Sequence, residues 1–241
     1  MDGFLSSLFE CDTAGGLVCK QQLKNDLITY VINISHIHIN NICQLVIECQ
    51  SSLLLKHFRK SINDQDEINS YDTSRGFLIF QWSIDHLKKL LSPSRSLLLC
   101  VIDNNKNKFA GYQLLLSLTG LFQYMDSTYG QIELDPSVIT PEQWNEFISS
   151  PHFHYLAQTG ISLEYQGLGI ASSLITLAKS HSIDGLCTNI TYWPYNNIAS
   201  EECKRKNGFK CIGIWHQTIC EHFVPFKAKI FIWRPIKSDL S

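Results

Sequence analysis

The feature that most constrains this chain is a glycine turn between a strand-like segment and a helix-like segment. The turn has the sequence QGLGIA over Gln166–Ala171. After it, apolar side chains recur at the spacing of one helical face, at Ile170, Leu174, Leu177 and Ala178. Glycines at 167 and 169 permit a tight turn, and the helix behind them offers unpaired N–H groups and the positive end of its dipole. The sequence therefore predicts a phosphate-binding turn.

One class of protein with such a turn binds dinucleotides. That class uses G-x-G-x-x-G after an early strand, with an acidic residue about 20 residues further on. Here Ser172 stands at the third glycine position, and the turn lies late in the chain. Asp184 follows the next helix-like segment and does not close a second strand. These departures argue against a dinucleotide enzyme, which stays open as an alternative.

A second pattern lies about 40 residues downstream of the turn. Residues 186–193 have strand character, Asn197 precedes a helix-like segment, and Gly208-Phe209 closes that segment. The two patterns together resemble the GNAT superfamily of N-acetyltransferases. The phosphate loop of that family is Arg/Gln-x-x-Gly-x-Gly/Ala, and Gln166, Gly169 and Ala171 occupy its fixed positions. The resemblance covers residues 155–215, and before them it is topological.

The resemblance implies an α/β (α+β) fold of GNAT type. It implies a mixed, mostly antiparallel sheet of about seven strands, splayed between the fourth and fifth strands and flanked by about four or more helices. Residues 1–27 are expected to form an N-terminal extension, and residues 28–241 a single acetyltransferase domain. An insertion is expected at about 119–151, where Thr140 and Pro141 predict a helix start.

The resemblance also implies that acetyl-CoA is the co-substrate. The pyrophosphate would rest on main-chain N–H groups of the turn, and the pantetheine arm would fill the gap between the splayed strands. Lys204 would pair with a phosphate or with the thiolate, although the run Lys204-Arg205-Lys206 favours a solvated helix face. The implied cofactor-binding residues are Ile161, Leu163, Gln166, Gly167, Leu168, Gly169, Ile170, Ala171, Ser172, Asn197 and Lys204.

The catalytic groups are where the chain departs from the family. Many members have a tyrosine seven residues after the helix-opening Asn, and Lys204 stands there instead. Residues 155–163 contain no carboxylate that could serve as a base. Tyr192 and His154 are the candidate catalytic residues, and a histidine with a pKa of about 6.5 suits proton transfer. Further groups that could orient the amine or a water are Tyr155, Gln158 and Tyr195.

Composition excludes several classes of protein. The net charge is −2, which gives no sign of a nucleic-acid partner. The longest apolar run, Leu97–Ile102, is too short to cross a membrane, and the first residues lack the basic flank of a secretory signal. Nine cysteines without a C-x-x-C pair indicate reduced thiols and a cytoplasmic location. The two close histidine pairs lack a second half, so no metal site is expected.

The sequence predicts an acetyl-CoA-dependent N-acetyltransferase in which a primary amine attacks the thioester directly. The acceptor would be a small molecule or a peptide, and the protein a monomer or homodimer. Acidic residues of the insertion mildly favour a cationic acceptor. They are Glu133, Asp135, Glu142 and Glu146. The alternative is a catalytically weak or inactive module of the same fold that binds CoA or acyl-CoA.

Overall fold

The computed structural model describes residues 4–10, 15–24, 26–54, 76–78, 81–117, 130–193, 195–217 and 226–235. The strands are β1 Leu17–Lys24, β2 Leu27–Ile32, β3 Leu97–Asp103, β4 Lys108–Ser117, β5 Gly130–Leu134, β6 Phe153–Ile161, β7 Gly185–Trp193, β8 Lys210–Gln217 and β9 Phe226–Trp233. The helices are α1 Phe4–Glu10, α2 Ile39–Leu53, α3 Ile84–Leu91, α4 Pro141–Ser149, α5 Ile170–Ser180 and α6 Ile198–Lys206. None of these described helices combines the length and apolarity needed to cross a lipid bilayer.

The described strands form one mixed sheet in the order β1-β2-β3-β4-β6-β7-β9-β8-β5. Neighbouring strands are antiparallel, except that β6 and β7 run parallel. The predicted fold class is therefore confirmed, with nine described strands where about seven were expected. The two additional strands are β1, from the predicted N-terminal extension, and β5, from the predicted insertion. Each lies at one edge of the sheet, paired to β2 and β8 respectively.

Helices cover both faces of the sheet, because the strands carry apolar side chains in both directions. On one face α2 packs its buried stripe, including Ile42, Val46 and Leu53, against β2, β3 and β4. On the same face α4 packs near β6, where the ring of Phe147 stacks on that of Phe153 with centroids 5.6 Å apart. The opposite face is covered by α5 and α6.

The predicted helix in the insertion is α4, and it begins where the sequence indicated. The Thr140 side chain accepts a hydrogen bond from the Gln143 N–H, and the Gln143 side chain accepts one from the Thr140 N–H. Pro141 occupies the first turn, where its missing N–H breaks no helical bond. This capping box fixes the start of α4.

The sheet opens between β6 and β7. These strands pair only where Phe153, His154 and Tyr155 face Gly185, Leu186 and Cys187. Beyond that point β6 continues to Ile161 and β7 to Trp193 without pairing to each other. A register shift against β4 leaves Ala157 as an extra residue in β6, and such a bulge bends and twists its strand. The gap is the predicted splay, since β6 and β7 are the fourth and fifth strands of the expected sheet.

Candidate functional site

The glycine turn follows the open end of β6 and needs glycine for its backbone conformation. Gly167 has φ of 78° and Gly169 has φ of 82°, both in the left-handed region. A Cβ added at either position would meet no atom within 4 Å. Side chains at these positions would therefore be strained without being crowded. Gly169 also begins α5 without a side-chain cap, so it leaves the helix terminus open.

The turn carries a continuous row of unused hydrogen-bond donors. The Gln166 N–H donates to Leu163 O at 3.4 Å, and the Ser173 N–H donates to Gly169 O at 3.1 Å. Between them, the main-chain N–H groups of Gly167–Ser172 find no acceptor among the residues that the structure describes. Residues 167–169 are exposed. Six adjacent donors at the positive end of an 11-residue helix form a site suited to an anion.

Two predicted ligand residues hold this turn in place through their side chains. Gln166 donates from Nε2 to Ile161 O at 3.1 Å, which ties the turn to the end of β6. Ser172 Oγ accepts from Asn207 Nδ2 at 3.0 Å and lies 3.9 Å from Cys203 Sγ. The first turn of α5 is therefore fastened to the last turn of α6. The sequence did not indicate these two side chains as anchors.

The open edge of β6 ends beside the turn. Ser162 donates its main-chain N–H to Ala110 O at 3.0 Å, on the β4 side. Because main-chain groups alternate along a strand, those of Ile161 point towards the gap. Leu163, 54% exposed, begins the short 3-10 segment Leu163–Tyr165 that leads into the turn. Ile161 and Leu163, both predicted to contact the cofactor, therefore lie where the gap between β6 and β7 opens.

Asn197 caps the start of α6, as expected, and both polar atoms of its carboxamide form hydrogen bonds. Its Oδ1 accepts from the Ser200 N–H at 3.3 Å, and its Nδ2 donates to Phe77 O at 3.1 Å. The residue is buried. Asn197 thus caps α6 and joins it to the segment 76–78. Whether it also contacts a ligand stays a prediction.

Lys204 is buried, so the interpretation of a solvated helix charge is wrong for this residue. Only 7% of it is exposed, and burial lowers the pKa of its ammonium to about 8. Its Nζ lies 5.7 Å from the centroid of the Phe209 ring and has no hydrogen-bond or ion-pair partner within the described part of the chain. The next two residues differ from Lys204 because each forms an ion pair. Arg205 pairs with Glu201 at 2.8 Å, and Lys206, 76% exposed, pairs with Glu202 at 3.5 Å.

His154 lies at the paired end of β6, away from the glycine turn. It is 2% exposed, and its Nδ1 lies 3.0 Å from Ser182 Oγ. Its Nε2 has no partner among the described residues. Burial lowers the pKa of His154 to about 4, so the ring is neutral at neutral pH. An enclosed imidazole at this end has no access to an amine in the gap, and its placement gives no support to a catalytic role.

Tyr192 lies on the open part of β7, half-buried, at the register shift between Thr191 and Trp193. Lys229 Nζ is 5.7 Å from the centroid of the Tyr192 ring and forms an ion pair with Glu201 at 2.8 Å. Tyr192 thus lies beside the gap, and the Lys229 ammonium lies over its ring.

The other polar candidates lie on the face that carries α2. The Tyr155 hydroxyl donates to Asn189 Oδ1 at 2.6 Å, which links β6 to β7 across the start of the gap. Gln158 Oε1 accepts from Gln50 Nε2 at 2.8 Å and from the Tyr112 hydroxyl. Tyr195 is buried, with its ring 6.4 Å from that of Phe77.

Sequence reasoning missed Asn189, Gln50 and Tyr112, which hold Tyr155 and Gln158 in place. The position of Gln50 in the sequence could have indicated its role. It lies four residues after Val46 on the buried stripe of α2, where a polar residue needs an internal partner. Asn189 and Tyr112 lie in strands whose pairing the sequence does not specify.

Known proteins resemble this chain in structure but not in sequence. No protein-family model and no curated protein matches the sequence. A probable acetyltransferase from Staphylococcus epidermidis is 14% identical, with a TM-score of 0.50 over 87% of this chain and 99% of that one. A GNAT-family acetyltransferase from Streptococcus pneumoniae is 13% identical, with a TM-score of 0.46 over 87% and 99%. Nourseothricin acetyltransferase is 13% identical, with a TM-score of 0.40 over 58% of this chain and only 66% of its own. The chain thus has the fold of the GNAT acetyltransferases.

Proposed function

We propose that this chain, which has the GNAT fold, is an acetyl-CoA-dependent N-acetyltransferase that acts on a primary amine. The observation that carries the proposal is the row of unused N–H groups over Gly167–Ser172, which begins where β6 and β7 have parted. A fold with the splay alone offers a groove, and a helix terminus alone offers weak anion binding. Their juxtaposition suits an elongated ligand with a diphosphate at one end.

The residues present fit coenzyme A. We propose that the diphosphate accepts hydrogen bonds from the N–H groups of Gly167–Ser172. The pantetheine arm would lie in the gap, where the main chain of Ile161 and Leu163 can pair with its amides. Leu168 and Ile170 are proposed to contribute their main-chain N–H groups, and the Ile170 side chain, 2% exposed, packs inward. Asn197 is proposed to contact the arm at the start of α6.

The bound co-substrate supplies an acyl group activated as a thioester. The chain must then hold that group still and polarise its carbonyl, which main-chain N–H groups along the open edge of β6 can do. An alkyl amine has a pKa of about 10 and must lose a proton before it attacks. Tyr192, on the open part of β7, is the described candidate for orienting that amine or a water beside it.

Several broader statements belong to the same proposal. Residues 28–241 are proposed to form one transferase domain, to which residues 1–27 add an N-terminal extension. The acceptor is proposed to be the primary amine of a small molecule or peptide, and the compartment to be the cytoplasm. The seven described cysteines form no disulfide among themselves, which is compatible with a reducing compartment.

Ligand-induced stabilisation tests the proposal. A ligand that binds only the native state raises Tm. We expect acetyl-CoA and CoA to raise Tm and NAD to leave it unchanged. A rise with NAD alone would contradict the proposal and favour a dinucleotide enzyme.

Thiol release during incubation with acetyl-CoA and a panel of primary amines then separates the two candidate functions on this fold. Release that depends on an amine supports a transferase. Binding of acetyl-CoA without release by any amine supports the alternative, a CoA-binding module. The absence of a carboxylate from residues 155–163 is the observation that keeps this alternative in the test.

A further inference from the structure

We propose, on the basis of the function proposed above, that the hydrogen-bonded side chains of Tyr155 and Asn189 close the inner end of the gap and limit the acyl group of the co-substrate to a short one. Acetyl-CoA would fit, whereas butyryl-CoA and longer acyl thioesters would be disfavoured. Three observations carry the proposal: the place where the pairing of β6 with β7 ends, the side-chain bridges just beyond that place, and the dense packing behind them.

The direction of the gap decides which end of the ligand meets these side chains. The N–H groups proposed to hold the diphosphate follow Ile161, at the open end of β6. The opposite end of the gap is the point where the two strands meet, at the pair formed by Tyr155 and Cys187. An extended ligand that is held by its diphosphate at the turn therefore points its acyl group towards this pair.

Two side-chain hydrogen bonds continue the link between the strands after their main-chain pairing stops. Tyr155 is the last paired residue of β6, and its hydroxyl donates to Asn189 Oδ1 at 2.6 Å. The Thr188 hydroxyl donates to Leu156 O at 2.9 Å. Since successive side chains of a strand point to opposite faces of a sheet, Thr188 and Asn189 leave β7 on opposite faces. The inner end of the gap is therefore bridged from both faces.

The hydrogen bond between Tyr155 and Asn189 lies at a boundary between accessible and buried residues. Both of these residues are half-buried. Their neighbours Leu156 and Thr188 are buried, and so is Cys187, which faces Tyr155 in the last pair. The Tyr155–Asn189 bridge thus separates the open part of the gap from the packed residues of the paired end.

The packed residues behind the bridge leave no room for an acyl chain. The Phe153 ring is fully buried and stacks on that of Phe147, with centroids 5.6 Å apart. A Cβ added to Gly185, which faces Phe153 across the two strands, would lie 2.6 Å from Trp233 O and 3.0 Å from the Phe153 ring. A region that cannot take one additional methyl group cannot take the methylenes of a longer acyl group.

A closed gap and an open gap predict opposite effects of acyl length on affinity. In an open apolar gap, each additional methylene that is buried would strengthen binding about fourfold. Against a closed end, an additional methylene must displace packed side chains, which weakens binding. The sign of the change in affinity with acyl length therefore distinguishes the two arrangements.

Calorimetric titration with acetyl-CoA and with butyryl-CoA, which has two more methylenes, tests the proposal without an acceptor. We expect wild-type protein to bind butyryl-CoA about tenfold more weakly than acetyl-CoA. Asn189→Ala removes the bridging carboxamide and should abolish this preference. Tyr155→Phe keeps the ring and removes only the bridging hydroxyl, so it should reduce the preference to about threefold.

Thr191→Ala is the matched control. Thr191 is half-buried and lies two residues beyond Asn189 on β7, on the same face of the strand. Its replacement also shortens a β7 side chain to alanine but leaves the bridge intact, so the tenfold preference should remain. Equal loss of the preference in Thr191→Ala and Asn189→Ala would contradict the proposal, because a general loosening of β7 would then explain both results.

The outcomes separate this proposal from the proposed function. If wild-type protein binds neither ligand, the proposed function is contradicted. If it binds butyryl-CoA as tightly as acetyl-CoA or more tightly, the proposed function stands and the limit on acyl length is contradicted. A preference that survives in both Asn189→Ala and Tyr155→Phe would also contradict it, since another part of the protein would then set the limit. Tyr155→Phe preserves the packing of the ring and keeps the test available if the Asn189 variant does not fold.

Discussion

The two ends of β6 differ in how the protein satisfies its polar groups. At the paired end, Phe153–Tyr155 pair with β7, His154 is enclosed, and the Thr188 hydroxyl donates to Leu156 O at 2.9 Å. At the open end the strand loses its neighbour, and the turn that follows keeps six donors without acceptors among the described residues. The contacts at the paired end stabilise the fold, whereas the donors that follow the open end remain available to an anion.

Two glycines, one at each end, show the same difference between the paired end and the open end of β6. Gly185 begins β7 at the paired end, where an added Cβ would lie 2.6 Å from Trp233 O and 3.0 Å from the Phe153 ring. Gly169 follows the open end, where an added Cβ would meet nothing within 4 Å. Both positions need glycine for backbone conformation, but only at Gly185 would a side chain also clash with its surroundings, whereas the space around Gly169 is open. Substitutions at the two positions should separate stability from binding.

Gly185→Ala should have the largest effect on stability. The added methyl clashes with main chain, and its φ of 130° is unfavourable for any residue with a Cβ. We expect the free energy of unfolding to fall by about 4 kcal/mol, from overpacking and backbone strain together. Denaturant titration measures this. Gly169→Ala, which introduces strain without a clash, should lower it by only about 1 kcal/mol, and equal losses would contradict the contrast.

His154 should make the paired end sensitive to acid. Its pKa in the folded protein is lowered from 6.5 to about 4, so the unfolded chain binds the proton more readily. Stability is then complete above pH 6.5 and falls as the pH drops from 6.5 towards 4, by up to about 3 kcal/mol. Comparison of the unfolding free energy of wild-type and His154→Gln protein across this range measures the effect. Parallel pH profiles for the two proteins would show that His154 is not the group responsible.

Gly169→Asp should abolish most of the affinity for acetyl-CoA. A carboxylate in the turn would repel the diphosphate, and the left-handed backbone would be strained. We expect affinity to fall about 100-fold, or about 2.7 kcal/mol, as measured by calorimetry. Gly15→Asp is the matched control, because Gly15 has φ of 76° and equally open surroundings away from the turn. Retention of affinity in the Gly169 variant would show that the diphosphate lies elsewhere.

Lys204→Met should stabilise the ligand-free protein by about 1 kcal/mol at neutral pH. The substitution removes a buried charge that has no described partner and fills a similar volume. Because the folded-state pKa is lowered from 10.5 to about 8, the gain should shrink as the pH rises from 8 to 10.5 and wild-type Lys204 loses its charge. Thermal unfolding at pH 7 and at pH 10 measures both effects. A loss of stability at pH 7 would show that the ammonium contributes to the fold.

Local patterns predicted the parts of the fold that depend on neighbouring residues. The glycine turn, the α5 stripe and the capping box at Thr140 involve residues close in sequence, so their signals were strong. The order of strands and the splay followed from the resemblance to a family, since no local pattern specifies which strands pair. The edge strands β1 and β5 were missed because each is short or mostly exposed and lacks a clear alternation.

The side-chain environments around the gap were less predictable. Lys204 lies in a run of basic residues that suggests solvent exposure, and only its position on α6 relative to α5 and β9 buries it. His154 was considered for chemistry because a histidine can move protons near neutral pH. Its packing against Ser182, 28 residues away in sequence, removes it from the gap. Such long-range contacts are not encoded in any short motif.

The central claim is that main-chain N–H groups from Gly167 to Ser172 hold the diphosphate of coenzyme A. A titration of ¹⁵N-labelled protein with CoA, followed by amide NMR, tests it most directly. The claim predicts that the amide signals of Gly167–Ser172 shift downfield more than any others, while those of His154 and Tyr155 at the paired end stay nearly unchanged. Shifts centred on another part of the chain, with the Gly167–Ser172 signals unmoved at saturating CoA, would contradict it.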